Sequence, residues 1–502
     1  MEVVVVGCGY VGLVTGVCFA SLGHNVLGIE IDEGRAGLIE RGIPPFHEPG
    51  MEERLQNCLS EGSFRVTSRM EEAVGGDVIF LCVQTPQGPD GELDTNFLAA
   101  AARQVALALS ESKRKHVVVV RSTVVPGTTE DLVSPLVRAH NHEVAVASNP
   151  EFLREGSAVR DFLESDRIVI GSNETWAADL VADLYAPLKP FVVHTVPSTA
   201  ELAKCASNAL LATLISFSNQ LARIAEAVPG AEVEEVLSII HKDQRLSPMV
   251  DGQKISPEIL VYLKPGLGFG GACLPKDLSA LNHFANFVGE PAPLLKAVME
   301  INDSQPARVV SITRDALDGL KDRRVAVLGL AFKAGTDDLR DSPSLRIVDL
   351  LLREGAEIVA YDPLVALETL EGLGGRGVTF AADLDAAIRE ADACLIATRA
   401  PEFREVGEIL LRMNREHTVV IDGRRLLDPE SLEERHRYRA VGRSQREFPK
   451  RVRVVTPPVF GMAFEAVEVG AAVEFLGPGI ESFVVPLPML ASALAWVAQS
   501  FA

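Results

Sequence analysis

One cysteine stands in a setting unlike that of the other six. Cys273 lies in Gly268-Phe269-Gly270-Gly271-Ala272-Cys273-Leu274-Pro275-Lys276-Asp277. The glycines let backbone and substrate approach the sulfur. Lys276 can favour thiolate over thiol and Asp277 can accept a proton, so these residue types suit a nucleophile with local electrostatic support. A tight turn around an inert buried cysteine fits the same decapeptide. Three further clusters carry chemistry-capable groups. Lys204 and Asn208, four apart in ELAKCASN, share one helix face and can address one oxygen, or they form a solvent-facing pair. Glu151 and Glu155 in NPEFLREG are placed either for acid–base work after a strand or as acids decorating a helix N-terminus. Arg121-Ser122-Thr123 ends a strand with hydroxyls. Tyr185 and Lys189 match a YxxxK pair, but Pro187 between them breaks the helix that would align the two side chains.

The elements that must position these groups are legible in order. EVVVV at 2–6 reads as a buried parallel strand, followed at once by Gly7-Cys8-Gly9-Tyr10-Val11-Gly12, a helical pattern to Leu22 and a second strand over 25–31. Strand, glycine turn, helix and strand together predict a dinucleotide pyrophosphate at the helix N-terminus. Glu30 falls where an acid bonds the adenosine ribose hydroxyls and repels a 2′-phosphate, which selects NAD. Asp32 takes that place if the register shifts by two, and Arg35 either reaches the adenosine side or is a solvated helix charge. Strands at 78–83, 117–121 and 144–147 continue a doubly wound sheet ending near 195. Helical patterns over 197–229 and 293–320 flank a loop-rich stretch, 241–277, that holds the cysteine. A second Rossmann-like unit opens at 324–330, with strands at 357–361, 393–397 and 419–422. The expected fold is α/β, two Rossmann-like doubly wound domains joined by a central helical segment. Its boundaries fall at 1–196, 197–320, 321–444 and a C-terminal extension, 445–502.

Composition narrows the partners. A net charge of −21 over 502 residues argues against nucleic acid and anionic membranes. The seven cysteines form no CxxC pair and the ten histidines no HExxH, so neither a disulfide framework nor a metal site is expected. Reduced thiols and a strand starting at the second residue predict a cytoplasmic protein without a signal peptide. Residues 482–502 carry no charge. Pro486 and Pro488 leave only one short helix, 487–501, read as buried or partner-facing rather than membrane-spanning.

Five motifs in order, GCGYVG, STVVPG, NPEFLREG, GFGGACLPKD and FKAGTDDLRDSP, make the chain resemble the UDP-glucose/GDP-mannose dehydrogenase family from residue 1 to about 444. The resemblance implies oxidation of a nucleotide-sugar C6 alcohol to the carboxylate with two NAD, through a thioester on Cys273. It implies oxyanion partners in Lys204 and Asn208, and Asp277 near the reacting carbon. The general base of the first step is Asp277, acting directly or through water, or Lys204. Thr123 and Glu151 are implied to handle water in thioester hydrolysis. The implied cofactor site adds Thr85, Glu155, Lys276 and Arg340 to Gly7, Gly9, Tyr10, Val11, Gly12, Glu30 and Arg35. The implied sugar-nucleotide site takes Phe152, Leu153, Arg245, Gly270, Lys333 and Arg424, besides Lys204 and Asn208. A homodimer or higher oligomer through the central helices is implied as well. DRIVIG, YDP and DGRR are similar to UDP-glucose enzymes, whereas CLP and KAGTDDL lean toward GDP-mannose enzymes. Arg424 in the nucleotide-reading domain favours UDP-glucose going to UDP-glucuronate, with GDP-mannose or dTDP-glucose as alternatives. A catalytically silent nucleotide-sugar sensor is the alternative from another class. Two departures stand out: about ten extra residues between Arg245 and Gly268, with Leu246-Ser247-Pro248 in place of Ile-Gly, and the tail after 444.

Overall fold

The computed structural model describes residues 1–445 except 367–368, 370–376, 416 and 434–435, together with the strands at 451–455, 463–469, 472–477 and 480–486. The first lobe is built on eight strands: β1 (Glu2–Val6), β2 (Asn25–Ile29), β3 (Phe64–Thr67), β4 (Val78–Leu81), β5 (Val117–Val120), β6 (Ala145–Ser148), β7 (Arg167–Ser172) and β8 (Phe191–Thr195). They lie in the order β3-β2-β1-β4-β5-β6-β7-β8. Every pair is parallel except β6 with β7. The continuous valine runs of β1 and β5 follow from burial on both faces. Helices cover the sheet, and on one side Phe19 packs against Phe80, Phe162 and Tyr185 at 5.4, 5.1 and 5.0 Å. Strand order reverses between β1 and β4, which opens a crevice at the carboxyl ends of those strands.

A small hairpin, β9 (Met249–Val250) with β10 (Gln253–Lys254), and a single 3₁₀ turn, Glu258–Tyr262, lie in the loop before the cysteine. The second sheet holds β11 (Arg324–Leu328), β12 (Glu357–Tyr361), β13 (Val378–Phe380), β14 (Ala393–Ile396), β15 (Val419–Asp422) and β16 (Arg437–Ala440), ordered β13-β12-β11-β14-β15-β16 and parallel throughout. Three long helices make the central segment: Pro197–Ala227, Leu274–Phe287 and Pro293–Leu317. Both Rossmann-like sheets and their helical connection therefore form as the patterns require, with most expected strands ending one or two residues early. β3, β7 and β8 of the first sheet and β13 and β16 of the second are strands beyond those the sequence predicts.

A separate compact unit contains 222–236 and 442–502. Within it, Val233 donates its amide to the Gly442 carbonyl at 3.0 Å, and Glu226 accepts from the Gly442 amide at 2.8 Å. Four strands, Arg451–Val455, Ala463–Val469, Ala472–Gly477 and Ile480–Pro486, form an antiparallel meander. The helix expected over 487–501 lies outside the described residues. Among the described residues no helix is long and apolar enough to cross a membrane.

Candidate active site

The glycine turn after β1 is shaped for a pyrophosphate. Gly7 turns at φ +90°, and a Cβ on Gly12 would lie 1.8 Å from the Gly7 carbonyl oxygen, so only glycine lets helix and turn pack this closely. Gly9 faces open space. No side chain caps the helix Tyr10–Ser21, which leaves its first amides free for an anion. Glu30 follows β2 directly and is buried. Its Oε2 accepts from the Cys8 amide at 3.1 Å and from Arg35 at 3.3 Å. Asp32 instead caps the helix Glu33–Glu40 by accepting from the Arg35 amide, so Glu30 holds the register expected of the ribose acid. These residues fit a dinucleotide.

NPEFLREG is irregular backbone leading to a short helix, Ala158–Leu163, and its two acids face different partners. Glu151 Oε1 lies 3.0 Å from Lys204 Nζ, with both side chains nearly inaccessible. Burial pushes this carboxyl up, but Lys204, the Leu153 amide and Arg121 outweigh it and hold it low. The same burial pulls Lys204 down, and Glu151, Asp277 and Cys273 together raise it above its usual value. Charge on both partners is therefore mutually sustained. Glu155, on the first lobe, faces the second. Its backbone carbonyl accepts from Lys333 Nζ at 2.6 Å, and its carboxylate lies 3.4 Å from Arg340, which also grips Asp338 at 2.7 Å. Desolvation and the neighbouring Asp338 push Glu155 up to about 7.

Cys273 is the N-terminal cap of the helix Leu274–Phe287 and is exposed to the cleft, while the other six cysteines are buried. A helix N-terminus favours thiolate. Desolvation by the cleft walls nevertheless pushes the thiol up to about 12, with Lys204 pulling it down and Glu151, Asp277 and Glu155 opposing. Desolvation therefore favours the thiol form of this sulfur over the thiolate. Lys276 does not supply the supporting cation expected of it. Its Nζ is held by Asp277 Oδ1 at 2.7 Å, and Lys204, remote in sequence, is the cation that acts on the sulfur. Asn208 Nδ2 donates to Asp277 Oδ2 at 2.6 Å. Lys204 and Asn208 are both buried, which removes the solvent-facing reading.

The glycines before Cys273 admit protein backbone. A Cβ on Gly270 would lie 2.2 Å from the Asp341 carbonyl oxygen, and Gly271, at φ +81°, donates its amide to the Arg340 carbonyl at 3.0 Å. Arg424 is half-buried, donating to the carbonyls of Ala397 at 2.6 Å, Phe332 at 3.3 Å and Gly268 at 3.4 Å. Burial, then Arg399, pulls its guanidinium down to about 9. Thr85 donates to the Thr123 carbonyl at 2.8 Å, and the Arg167 guanidinium lies 4.1 Å from the Phe152 ring centroid. Arg245 does not join this group. It is 88% exposed and paired with Asp243. Tyr185 is buried with its hydroxyl donating to Asn149 at 2.6 Å, and Lys189 ends the 3₁₀ turn around Pro187, consistent with dismissing that pair.

Two supporting residues escaped the sequence reading. Buried Glu48 accepts from the Tyr10 hydroxyl and from the Gly156 amide at 2.7 Å, tying the glycine turn to the end of NPEFLREG. Asn302 brackets Phe269, accepting from its amide at 2.8 Å and donating to its carbonyl at 3.0 Å.

Two nucleotide-type lobes with a cysteine between them define an NAD-dependent oxidoreductase. Residues 1–189 match the NAD binding domain of the UDP-glucose/GDP-mannose dehydrogenase family, 198–304 its central domain and 326–429 its UDP binding domain. A UDP-glucose 6-dehydrogenase of Bacillus subtilis is 37% identical over 447 residues, 88% of this chain and 93% of that one. A GDP-mannose 6-dehydrogenase of Azotobacter vinelandii is 34% identical over 423 residues, 81% of this chain and 94% of its own. The UDP-glucose dehydrogenase structure from Pyrobaculum islandicum superposes with a TM-score of 0.79 at 37% identity, covering 88% of this chain and 98% of that one. The chain belongs to the UDP-glucose/GDP-mannose dehydrogenase family and is an NAD-dependent nucleotide-sugar 6-dehydrogenase.

Proposed function

We propose that the chain oxidises UDP-glucose to UDP-glucuronate in four electrons, through a thioester on Cys273. The observation that carries this reading is the convergence of an exposed cap cysteine, a buried Lys204–Glu151 pair and a buried Asn208–Asp277 pair on facing elements. NAD held at the first glycine turn would supply hydride acceptance, two molecules in turn. Asp277, directly or through water, receives the C6 hydroxyl proton as the aldehyde forms, since Lys204 is held as a cation beside Glu151. The Cys273 S–H then adds across the carbonyl, sulfur to carbon and proton to oxygen, which retains the aldehyde as a thiohemiacetal. Lys204 and Asn208 donate to that oxygen. Loss of the second hydride from carbon, with the hydroxyl proton passing to solvent, leaves the thioester. Glu151, with Thr123, directs water onto it and takes one of its protons while the other goes to sulfur, which releases the carboxylate and restores the thiol. Phe152, Leu153, Gly270, Lys333 and Arg424 would hold the sugar nucleotide, and Tyr10, Val11, Thr85, Glu155, Lys276 and Arg340 the cofactor.

UDP-glucose as substrate is supported by Arg424 in the matched UDP binding domain and by the first relative reported above. Cytoplasmic location is supported by seven free cysteines. A homodimer through the central helix is supported by Leu202, Leu210 and Phe217, which stand exposed seven or eight residues apart along it.

NADH absorbance with UDP-, dTDP- and GDP-hexoses tests the substrate, and UDP-glucose is expected to give two NADH per sugar. One NADH with a stable aldehyde overturns the scheme. Cys273→Ser is expected to abolish turnover while leaving NAD binding within about twofold.

A further inference from the structure

The site above uses Lys204 and Asn208 of the central helix and leaves Glu201, one turn earlier, without a role. Positions 201, 204 and 208 share one helix face. Each binds a different segment. Lys204 holds Glu151 of the loop after β6, and Asn208 holds Asp277 of the cysteine's helix. Glu201 is 1% exposed, and its two oxygens accept one amide each: Oε2 from Gly127 at 2.7 Å and Oε1 from Thr129 at 2.8 Å. Those amides belong to the loop after β5, which carries Thr123. Cys205, the next position but three on the same helix, donates its thiol to the Val124 carbonyl at 3.4 Å.

We propose that Glu201 is a positioning residue that fixes the Thr123 loop against the helix bearing Lys204, and so sets where water meets the thioester. The claim rests on the thioester reading above. A carboxylate gripping two amides two residues apart fixes both the height and the twist of the loop. Lys204 fixes Glu151 from the same helix face. One rigid element thereby references the hydroxyl loop, the base and the cysteine helix to one another, which is what a water-directing pair needs. Burial raises the Glu201 carboxyl to about 7, partly offset by these same hydrogen bonds, as befits a group held in place for its contacts rather than its solvation.

Glu201→Gln keeps the shape and replaces one acceptor by a donor that faces an amide. The expected result is loss of amide-exchange protection at Gly127 and Thr129. Thioester hydrolysis should fall on the order of 100-fold, with the substrate KM changed less than about threefold. The acyl-enzyme should then accumulate on Cys273 and be read as an added mass on the intact protein under turnover. Glu201→Asp, which keeps the charge but reaches one amide only, should fall between the two, and it carries the test if the Gln variant does not fold. Lost protection with kcat within twofold of wild type and no adduct overturns the proposal, as does retained protection in both variants. If the wild type releases aldehyde after one NADH, the thioester reading fails instead, and the exchange data still report whether Glu201 holds the loop.

Discussion

The two glycine turns that open the two sheets start alike and end differently. Gly7 follows β1 at φ +90° and Gly329 follows β11 at φ +97°, each before an acid at the end of the neighbouring strand. In the first lobe the helix Tyr10–Ser21 begins at once and no side chain caps it. Glu30 takes the Cys8 amide of the turn and the Asp32 amide beyond it. In the second lobe Asp362 takes both the Leu330 and Ala331 amides, at 2.7 and 3.0 Å. The next helix, Pro343–Arg353, begins only after residue 342 and is capped by Ser342 with proline in its first turn. The first turn keeps donors free for an anion, whereas the second satisfies its own. What the second turn offers instead is its long loop, which carries Lys333 and Arg340 to Glu155 and lays its backbone against Gly271. Equal topology thus supports a cofactor cradle in one place and a wall of the reaction cleft in the other.

The sharpest way to break this contrast is to substitute both turns. Gly12→Val drives a side chain into the Gly7 carbonyl and is expected to weaken NAD binding by at least about 100-fold, read by titration calorimetry. Gly329→Ala, at positive φ and 2.2 Å from Thr398 Oγ1, should cost stability while leaving NAD affinity unchanged. Equal loss of NAD affinity in both variants would abolish the asymmetry.

A second experiment sharpens the place where the lobes meet. Glu155 is raised from 4.5 to about 7, so its neutral form is favoured in the fold. Its stabilising contribution is fully present below pH 4.5 and is lost as pH rises through about 7. Glu155→Gln should therefore match wild-type stability near pH 5 and exceed it at pH 8 by on the order of 3 kcal/mol. Denaturant midpoints across that range check the sign, and a gap that shrinks with pH would contradict it. The smallest effect is expected from Ser342→Ala, about 1 kcal/mol of stability for a lost cap, with NAD titration unmoved.

The sequence made the strand–glycine–helix units readable because their signals are local: apolar runs, a turn that only glycine allows, an acid at fixed spacing. Lys204 and Asn208 were legible as a pair through helical periodicity. Their partners were not. Lys276 stands beside Asp277 in sequence and invites the role that Lys204 fills from 69 residues away, a pairing set by packing of two helices. Glu48, Asn302 and Glu201 are buried polar groups satisfied only by tertiary contact, and no local pattern marks them. Arg245 looked like a ligand residue because of its family position, yet on this chain it meets Asp243 alone in the polar contacts found. In the tail, AFEAVEV, AVEFLG and IESFVVP are short runs rich in Val and Phe, broken by Gly and Pro. That is a strand signal, and its last run overlaps the uncharged end, which reads as helix.

The contact between Gly270 and the Asp341 carbonyl has a consequence for transplanting specificity. Since a methyl at 270 would come within 2.2 Å of that oxygen, the cysteine's turn and the loop before Pro343 are cut to one another like a key and its ward. A chimera that imports only the nucleotide-reading lobe of a relative imports one half of that fit. Its success will depend on carrying both stretches across together, whichever sugar it was built to oxidise.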